Sequence, residues 1–519
     1  MERSGEMDLN ELIRAVPGML PGDPPAAGPV EIRHLTADSR NVCAGSLFVA
    51  IRGQHADGHA FLKKAVEQGA VAVVVDRASR LETGSVGVPV IPVDDPRVAL
   101  GRLAVEFYGR PSQHLGMIGV TGTNGKTTTA YILRSILQAA GLKVGLIGTV
   151  VYDLAGETRV AGHTTPESDV LQGLLARSLE RGASYAVMEV SSHALSLNRV
   201  EGCEFDAAVF TNLSQDHLDF HKTLEAYYQA KRRLFEGMSV GAVKERPKRA
   251  IINQDDEWGR RLIGEVRIPV WTYGLDEKSD VMAEDLNLTL KGASFTAVTP
   301  AGPIPVRSGL VGRHNVYNLL SAIGTAVHLD IPGGAIREGI GRLTGVPGRF
   351  ERVSAGQAYD VIVDFAHTEA ALDRLLRTVK KLAHGRIITV FGCGGDRDPG
   401  KRGPMGRTAT RYSDIAVVTS DNPRTEDPLE IIRQIEAGVR EEASRGKRGI
   451  EVLSIPDRRE AIGRAIRLAS AGDAVVIAGK GHEEYQIIGD RKYPFDDRQV
   501  ARDWITSTPA AGKSTGAPE

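Results

Sequence analysis

Glycine, lysine and hydroxyl side chains within one short segment indicate a site for a nucleoside triphosphate. The segment consists of Gly122, Thr123, Asn124, Gly125, Lys126, Thr127 and Thr128. It follows the apolar stretch LGMIGV, typical of a buried strand, and precedes the helical pattern TAYILRSILQAAG. In that setting backbone N–H groups surround a phosphate, the lysine contacts the β- and γ-phosphates, and the first threonine binds Mg²⁺. The strict pattern has glycine where this chain has Val120, so we predict a variant phosphate loop that binds ATP or GTP.

Two further polar residues follow apolar strands. Glu189 lies at the end of the stretch YAVMEV, and His217 lies in the loop after AAVFTN. Parallel strands present functional groups at their carboxyl ends, so we expect both side chains in one crevice with the phosphate loop. Lys231 lies in the basic helical run EAYYQAKRRLF, and its spacing alone indicates a solvated helix lysine.

The pattern of the whole chain predicts an α/β fold in three domains. The 519 residues correspond to about three domains of ordinary size, and short apolar strands alternate with helical segments. Gly/Pro breaks near residues 112 and 345 mark the boundaries. We predict a small N-terminal α/β domain (1–112), a central P-loop domain with a mostly parallel sheet (113–345), a Rossmann-like C-terminal domain (346–505) and a disordered tail (506–519).

Composition argues against several classes of protein. Lys and Arg number 64 against 65 Asp and Glu, so the net charge of −1 gives no broad basic surface for nucleic acid. The cysteines, Cys43, Cys203 and Cys393, are far apart without metal-ligand spacing, which indicates inert thiols. The first segment, MERSGEMDLNELIRAV, is charged throughout and lacks the apolar core of a signal peptide. We therefore expect a cytoplasmic protein that is not inserted in a membrane.

Motifs beyond the phosphate loop carry a specific resemblance. In order they read HTTPE, EVSSHALSLNRV, TNLSQDHLDFH, RHNVYN, GRFE, VDFAH, FGCGGDRDPGKR, DNPRTEDP and AGKGHEEYQ. With GVTGTNGKTT, this series resembles the Mur ligase family from about residue 30 to about residue 500. The resemblance implies ATP-dependent amide formation in peptidoglycan precursor synthesis, through an acyl phosphate. The implied substrates are UDP-N-acetylmuramoyl-L-alanyl-D-glutamate and meso-2,6-diaminopimelate, and we expect a monomer.

The resemblance also assigns nucleotide and metal residues. In the family the lysine at the Lys231 position is carbamylated to N6-carboxylysine, which turns a cation into a carboxylate able to support Mg²⁺. The implied Mg²⁺ set is Thr127, Glu189, His217 and Lys231, with Lys126 as a further catalytic residue. Further motif positions that contact the nucleotide or close the domains are Asn315, Asn318, Arg349, Asp364 and His367. The chain departs from the family at Phe365, where Tyr is usual, and at Glu369, where Pro is usual, which leaves the shape of the adenine-side loop open.

The remaining implied residues serve the two other substrates. Hydroxyls and one arginine suit a pyrophosphate and a sugar. The implied UDP-sugar set is Ser39, Gln54, His55, Ala56, Thr164, Thr165, Ser191 and Arg199. The implied diaminopimelate set is Arg397, Asp421, Asn422, Pro423, Arg424, Gly479 and Glu483. Here Arg424 would pair with the distal carboxylate and Glu483 would accept from the distal ammonium, so diaminopimelate should be preferred over L-lysine.

Three other functions remain as alternatives. A folylpolyglutamate-type ligase shares the ATP loop, but the early D-S-R element and DNPR are not expected in it. A P-loop motor acting on nucleic acid requires a basic face, which the charge balance disfavours. A non-catalytic UDP-sugar sensor would tolerate loss of Lys126, Glu189 or Lys231, and all three are present.

Overall fold

A computed structural model describes residues 7–16, 29–53, 56–79, 86–238, 244–445 and 450–507. The chain forms two compact units. The first contains residues up to Glu284 with Thr296–Pro305 and Val316–Arg342, and the second contains Asp285–Phe295, Val306–Asn315 and the chain from Leu343 onward. The domain boundaries at 112 and 345 stay predictions.

The N-terminal part of the first unit is a small α/β structure. Four parallel strands pair in chain order, and their apolar side chains are buried. The strands are Met7–Asp8, Glu31–Ile32, His34–Thr36, Ser46–Val49, Ala70–Asp76 and Val90–Val93, of which the first two form a separate antiparallel pair. The helices are Leu9–Ala15, Leu62–Glu67, Pro96–Phe107 and Pro111–His114, with 3₁₀ turns at Gly58–Phe61 and Arg77–Ser79.

A mostly parallel sheet forms the centre of the chain, as the sequence predicted. The strand Gly116–Thr121, which leads into the phosphate loop, lies between Tyr185–Glu189 and Ala207–Phe210, and all three are parallel. Their carboxyl ends therefore meet at one edge. The other strands of this sheet are Val144–Ile147, Val151–Leu154, Thr158–Val160, Arg249–Asn253, Val270–Gly274, Val281–Thr289, Gly292–Val298 and Ile304–Ser308.

Helices pack against this sheet by apolar faces. In the phosphate-loop helix, Ile132, Leu133, Ile136 and Leu137 are buried, at the spacing of one helical stripe. The helices of this part are Lys126–Ala139, Ser168–Glu180, Ser192–Ser196, Leu218–His221, Leu224–Gly237, Glu257–Glu265, Arg313–His328 and Gly333–Arg342.

Three details of the central part differ from the sequence prediction. The helix begins at Lys126 and not after Thr128, because Gly125 supplies a left-handed N-terminal residue. The stretch VGLIGTVV, whose apolar run by itself predicts a single strand, turns at residues 148–150 into two antiparallel strands. The strands after Val281 follow one another without the helices that we predicted between them.

The C-terminal part contains a second, mostly parallel sheet. Its order is Glu351–Arg352, Asp360–Asp364, Ala474–Ala478, Ile387–Phe391, Ile415–Val418 and Glu451–Ser454, with the first strand antiparallel. The four inner strands of the parallel part are mostly apolar and buried, since helices cover both faces. The edge strand Glu451–Ser454 is mostly exposed. The helices are Glu369–Leu382, Arg402–Tyr412, Pro428–Ser444, Arg458–Leu468 and Asp497–Ser507, with a 3₁₀ turn at Pro399–Lys401 and a hairpin of Tyr485–Ile488 with Arg491–Pro494.

The ends of the chain bear on two predictions. The last helix continues to Ser507, so Thr506 and Ser507 are helical and do not belong to the tail as we predicted. The rest of the predicted disordered tail, 508–519, lies outside the described residues. Within the described ranges, no helix has the length and apolar character needed to span a membrane.

Candidate active site

The phosphate loop joins a buried strand to the first turn of a helix. Gly122 and Gly125 have φ angles of 141° and 90°, which side chains other than glycine rarely adopt. A Cβ atom at Gly122 would collide with the Thr211 hydroxyl, and one at Gly125 would collide with Asn318 Oδ1. Lys126 Nζ donates to the carbonyl oxygens of Gly122 at 2.9 Å and Thr123 at 3.0 Å. The loop thus places backbone N–H groups and an ammonium where a phosphate chain can bind.

Two residues that follow the neighbouring strand Ala207–Phe210 form hydrogen bonds to the phosphate loop. Thr211 Oγ1 donates to Asn124 O at 2.6 Å, and Asn212 Oδ1 accepts from Asn124 N at 3.1 Å. The sequence analysis did not assign either residue, although both stand in the TNLSQDH motif that it used for His217.

Glu189 is a buried carboxylate at the strand end predicted for it. Its Oε2 accepts from Thr127 Oγ1 at 2.9 Å and from Thr149 Oγ1 at 3.1 Å, and its Oε1 accepts from Thr149 N at 2.8 Å. Only 1% of the residue is exposed. The structure therefore brings Thr127 and Glu189 together, and it adds Thr149. The only signal for Thr149 in the sequence was a hydroxyl within a predicted strand.

Lys231 is buried, in contrast to the solvated position that its spacing indicates. Its exposure is 1%, its Nζ donates to Gly122 O at 2.9 Å, and it lies 4.4 Å from the centre of the Tyr227 ring. Tyr227, Lys231 and Leu234 share one helix face, and this face is inside the protein. Burial lowers the pKa of Lys231 well below its usual value, and the nearby charge of Lys126 lowers it further. This environment therefore favours the neutral amine of Lys231 over its ammonium form.

His217 lies at the edge of the same neighbourhood. It precedes the short helix Leu218–His221 with a left-handed φ of 52°, and its side chain is 46% exposed. Its ring lies 4.9 Å from that of His193 and 6.0 Å from that of Tyr227. Tyr227 in turn lies 3.2 Å, hydroxyl to hydroxyl, from Thr123. His217 is thus linked to the phosphate loop through Tyr227.

The other predicted nucleotide residues divide between the two units. Asn318 lies beside Gly125 in the first unit, whereas Asn315 belongs to the second, where its amide donates to Val311 O at 2.8 Å. Asp364 accepts from Phe350 N at 2.7 Å and from Ala366 N at 2.8 Å, and burial raises its pKa.

The two departures from the family pattern have a local structural account. The Arg349 guanidinium lies 5.4 Å from the centre of the Phe365 ring, and the Phe365 and His367 rings are 4.5 Å apart. The Phe365 ring therefore makes these contacts without the hydroxyl that a tyrosine would carry. Glu369 occupies the first position of the helix Glu369–Leu382, where the helix dipole favours an acidic residue, and Thr368 caps the helix. Proline is favoured at the same position, so this helix start does not depend on it.

Four of the predicted UDP-sugar residues, Thr164, Thr165, Ser191 and Arg199, form one cluster in the first unit. Thr165 Oγ1 donates to Glu189 O at 2.8 Å and accepts from Ser191 N at 3.1 Å. The Thr164 hydroxyl lies 3.0 Å from that of Thr149. Arg199 donates to Thr165 O at 2.9 Å and pairs with Glu167 at 2.6 Å, a partner that we did not predict.

The D-S-R loop is attached to the central part of the same unit. Ser39 is half-buried, and the amide of Ala37, two residues before it, donates to Asp169 Oδ2 at 3.2 Å. Ala56 is exposed. Gln54 and His55, which we also predicted to bind the UDP-sugar, lie outside the described residues.

The DNPR element follows the strand Ile415–Val418 in the second unit. Asp421 and Asn422 are buried, while Arg424 is half-buried in a left-handed conformation with φ of 50°. Backbone hydrogen bonds to the hairpin hold that conformation, from Arg424 N to Ile487 O at 3.1 Å and from Gly489 N to Arg424 O at 2.8 Å. The Arg424 guanidinium donates to Gly395 O at 2.6 Å. Arg397, which follows soon after Gly395 in the chain, is exposed. Strained backbone held in this way is typical of ligand-binding positions.

A buried lysine lies behind DNPR, and the sequence analysis missed it. Lys480 follows Gly479 and donates to Asn422 Oδ1 at 2.8 Å, while Asn422 Nδ2 donates to Glu483 Oε2 at 3.0 Å. Burial lowers the pKa of Lys480, and the charges of Asp421 and Glu483 oppose that shift. The signal in the sequence that could have indicated Lys480 was a lysine between two glycines, directly after an apolar strand. Four of the seven residues predicted for diaminopimelate, Asp421, Asn422, Gly479 and Glu483, are therefore brought together around Lys480.

Two further observations concern metals and thiols. Within the described ranges, no group of three or more His, Cys, Asp and Glu side chains is placed to hold a metal ion. Cys43 is exposed, Cys203 is partly buried and Cys393 is buried, and each is a free thiol. Burial raises the pKa values of Cys203 and Cys393 to about 12.

Three family models match the chain in order. The Mur ligase family catalytic domain matches residues 31–108, the Mur ligase middle domain matches 120–326, and the Mur ligase glutamate ligase domain matches 348–481. The matched ranges include the phosphate loop, Glu189, Lys231 and DNPR.

Curated proteins match the chain over nearly its full length. A Geobacter metallireducens protein named UDP-N-acetylmuramoyl-L-alanyl-D-glutamate–2,6-diaminopimelate ligase is 46% identical over 506 residues, which are 95% of this chain and 97% of that protein. A Geobacillus thermodenitrificans protein of the same name is 47% identical over 496 residues, covering 96% and 99%.

Solved structures also match the chain. The structure of a UDP-N-acetylmuramoyl-L-alanyl-D-glutamate–2,6-diaminopimelate ligase superposes with a TM-score of 0.67 at 34% identity, covering 92% of this chain and 95% of that one. Folylpolyglutamate synthase of Mycobacterium tuberculosis, solved with ADP and AMPPCP, is similar in fold alone, with a TM-score of 0.59 at 18% identity. Since three family domains occur in order and relatives match over almost the whole chain, this protein belongs to the Mur ligase family.

Proposed function

We propose that this protein joins meso-2,6-diaminopimelate to the D-glutamate γ-carboxylate of UDP-N-acetylmuramoyl-L-alanyl-D-glutamate, with conversion of ATP to ADP and phosphate. The observation that carries the proposal is the match of 46–47% identity, over about 95% of the chain, to ligases of that name. The reaction consumes ATP and prepares a peptidoglycan precursor, so we place it in the cytoplasm.

The phosphate loop serves the first step of this reaction. A carboxylate is a poor acyl donor, so the γ-phosphoryl group of ATP passes to the D-glutamate carboxylate and gives an acyl phosphate. The amine of diaminopimelate then attacks the acyl carbon, the C–O bond to phosphate breaks, and the amine loses a proton. Lys126, held at the loop carbonyls of Gly122 and Thr123, is placed to turn its ammonium to the transferring phosphoryl oxygens.

Thr127 and Glu189 fit a Mg²⁺ ion. They offer a hydroxyl and a buried carboxylate whose oxygens lie 2.9 Å apart, and Mg²⁺ prefers oxygen ligands and is commonly held by one or two carboxylates with phosphate and water. When bound, Mg²⁺ would neutralise charge on the phosphates and on the D-glutamate carboxylate that accepts the phosphoryl group. His217 and carbamylated Lys231 complete the proposed metal set. The buried amine of Lys231, with its lowered pKa, is suited to carbamylation because CO₂ reacts with the neutral amine.

The substrates bind through the residues already described. We propose that Ser39 and the cluster of Thr164, Thr165, Ser191 and Arg199 bind the UDP-sugar. Thr165 is bonded to the carbonyl of Glu189, so the sugar site is connected directly to the catalytic strand end. For diaminopimelate, Arg424 pairs with the distal carboxylate and Glu483 accepts from the distal ammonium.

A coupled assay of ATP consumption tests the proposal. The UDP-linked dipeptide, a folate substrate, a panel of amino acids that includes diaminopimelate and glutamate, and single-stranded nucleic acid are added separately and in combination. We expect ADP and phosphate only when the dipeptide and diaminopimelate are both present, with the tripeptide product detected by mass spectrometry. Release with a folate substrate and glutamate would favour the folylpolyglutamate-type reaction, release with nucleic acid would favour a motor, and dipeptide binding without turnover would favour a sensor.

A further inference from the structure

Lys480 is enclosed by the residues that we assign to the amino-acid substrate. Its side chain is 0% exposed. Its ammonium donates to Asn422 Oδ1 and to Tyr485 O, both at 2.8 Å, and lies 3.6 Å from Glu483 Oε2 and 3.9 Å from Asp421 Oδ1. Two of its three N–H donors are used in these hydrogen bonds, and the side chain is closed off from solvent. Lys480 is therefore placed to act on its neighbours and not to contact a ligand.

The hydrogen bonds of Lys480 fix the orientation of the Asn422 amide. Asn422 Oδ1 accepts from Lys480 Nζ at 2.8 Å and from Ile487 N at 2.9 Å. Because two donors face the oxygen, the amide nitrogen must point the other way, where it donates to Glu483 Oε2 at 3.0 Å. The direction of the Glu483 carboxylate thus depends on Asn422, and that of Asn422 depends on Lys480.

The charges of this cluster suit a cationic ligand group. Arg458 and Asp497 form a buried ion pair that is neutral by itself. Lys480 contributes one positive charge against the two carboxylates of Asp421 and Glu483, which leaves one negative charge among these three. The distal ammonium of diaminopimelate would balance it.

We propose that Lys480 is a positioning residue for the amino-acid substrate. Its ammonium holds the Asn422 amide, and through it the Glu483 carboxylate, in the orientation that accepts the distal ammonium of diaminopimelate. This inference rests on the proposed function. It predicts a defect confined to recognition of that ammonium, whereas recognition of the distal carboxylate by Arg424 should remain.

Three amino acids separate these two recognitions. L-2-Aminopimelate keeps the distal carboxylate and lacks the distal ammonium, while L-lysine keeps an ammonium and lacks the carboxylate. In Lys480→Met we expect KM for diaminopimelate to rise by roughly 10- to 100-fold, as for other residues coupled within one buried network. The preference for diaminopimelate over L-2-aminopimelate should fall by a similar factor, and KM for ATP should change less than about twofold.

A partial reaction shows whether the variant is otherwise intact. Hydroxylamine attacks the acyl phosphate in place of the amino acid and expels phosphate, which gives a hydroxamate. The rate of hydroxamate formation in Lys480→Met should stay within about twofold of wild type, because formation of the acyl phosphate does not use this cluster. Lys244→Met is the matched control, since Lys244 is a buried lysine paired with Asp206 at 2.6 Å in the other unit. It should leave the amino-acid preference unchanged.

A double-mutant cycle closes the test. In a Glu483→Gln background, Lys480→Met should have a much smaller effect on KM for diaminopimelate, because the group that it orients is already altered. An unchanged preference over L-2-aminopimelate in Lys480→Met, or additive effects in the cycle, overturns the positioning role. Loss of folding or of hydroxamate formation in both Lys480→Met and Lys480→Gln also overturns it, in favour of general stability. If wild type itself does not turn over diaminopimelate, the proposed function fails instead.

Discussion

Lys126 and Lys231 donate to the same acceptor, the carbonyl oxygen of Gly122, and each Nζ lies 2.9 Å from it. The two lysines come from different helices and meet at the first residue of the phosphate loop. Like charges this close inside a protein disfavour the charged form of the more buried partner, and this is Lys231. The position of Lys126 therefore also favours the neutral amine of Lys231, which is the form that reacts with CO₂.

Lys126→Ala should abolish turnover without unfolding the protein. The substitution removes the ammonium that meets the transferring phosphoryl group, and we expect kcat to fall by about 10²–10³-fold or more, as for loss of other transition-state donors. Steady-state kinetics and a thermal melt measure both parts. Lys63→Ala, at an exposed lysine of the N-terminal part, is the control and should keep full activity. Turnover near wild type in Lys126→Ala would refute the role of the loop.

Lys231→Ala should be nearly inactive and partly restored by small carboxylates. Alanine leaves a space where formate or acetate can replace the carbamate near the metal ligands. Lys231→Met is the control, because its side chain fills that space and should prevent the rescue. Isotope-labelled bicarbonate should label the wild-type protein and neither variant. Full activity of Lys231→Ala without added carboxylate would show that the residue has only a packing role.

The sequence predicted those parts of the site that depend on local pattern. Glu189 and the phosphate loop follow buried strands, and parallel pairing brings such strand ends together without further information. The position of Lys231 was not predicted by spacing, since a lysine counts as polar in a helical pattern. The burial comes from Tyr227 and Leu234 on the same face, which carry Lys231 into the interior with them.

Contacts between distant segments account for what was missed. The turn at Thr149 interrupts a stretch of strand-forming residues, and it is held by the Glu189 carboxylate 40 residues later in the chain. Lys480 likewise takes its role from Asn422, 58 residues before it. Neither residue propensity nor hydrophobic periodicity carries information about contacts between residues so far apart in the chain.

Removal of one partner from the Arg458–Asp497 ion pair should strongly destabilise the protein. Both side chains are 0% exposed, and the pair is bidentate at 2.8 and 2.7 Å. Asp497→Asn leaves a buried, unpaired arginine, so we expect the free energy of unfolding to fall by about 3–5 kcal/mol. The matched control is Asp503→Asn on the same helix, whose partner Arg459 lies 3.6 Å away in an exposed pair. It should cost about 0–1 kcal/mol. Denaturant unfolding measures both, and equal losses would contradict the assignment.

Arg424 should select the distal carboxylate of diaminopimelate. L-Lysine lacks this group and would leave the guanidinium with the neutral acceptor Gly395 O that it has at 2.6 Å. Because Arg424 is half-buried and keeps that partner, the penalty is smaller than for a fully buried, unpaired charge. We expect kcat/KM for diaminopimelate to exceed that for lysine by about 10- to 100-fold, the value of one hydrogen bond to a charged group.

Arg424→Ala and Arg424→Lys separate charge from geometry in this selection. Alanine should remove most of the preference, and lysine should recover only part of it, because an ammonium cannot form the planar bidentate pair with a carboxylate. Arg491→Ala, at an exposed arginine of the neighbouring hairpin, removes the same charge outside the proposed site and should leave the preference intact. The ratio of kcat/KM values, measured with each amino acid at saturating ATP and dipeptide, decides the matter. Equal values for both amino acids in wild type would mean that DNPR is a turn and that selection lies elsewhere.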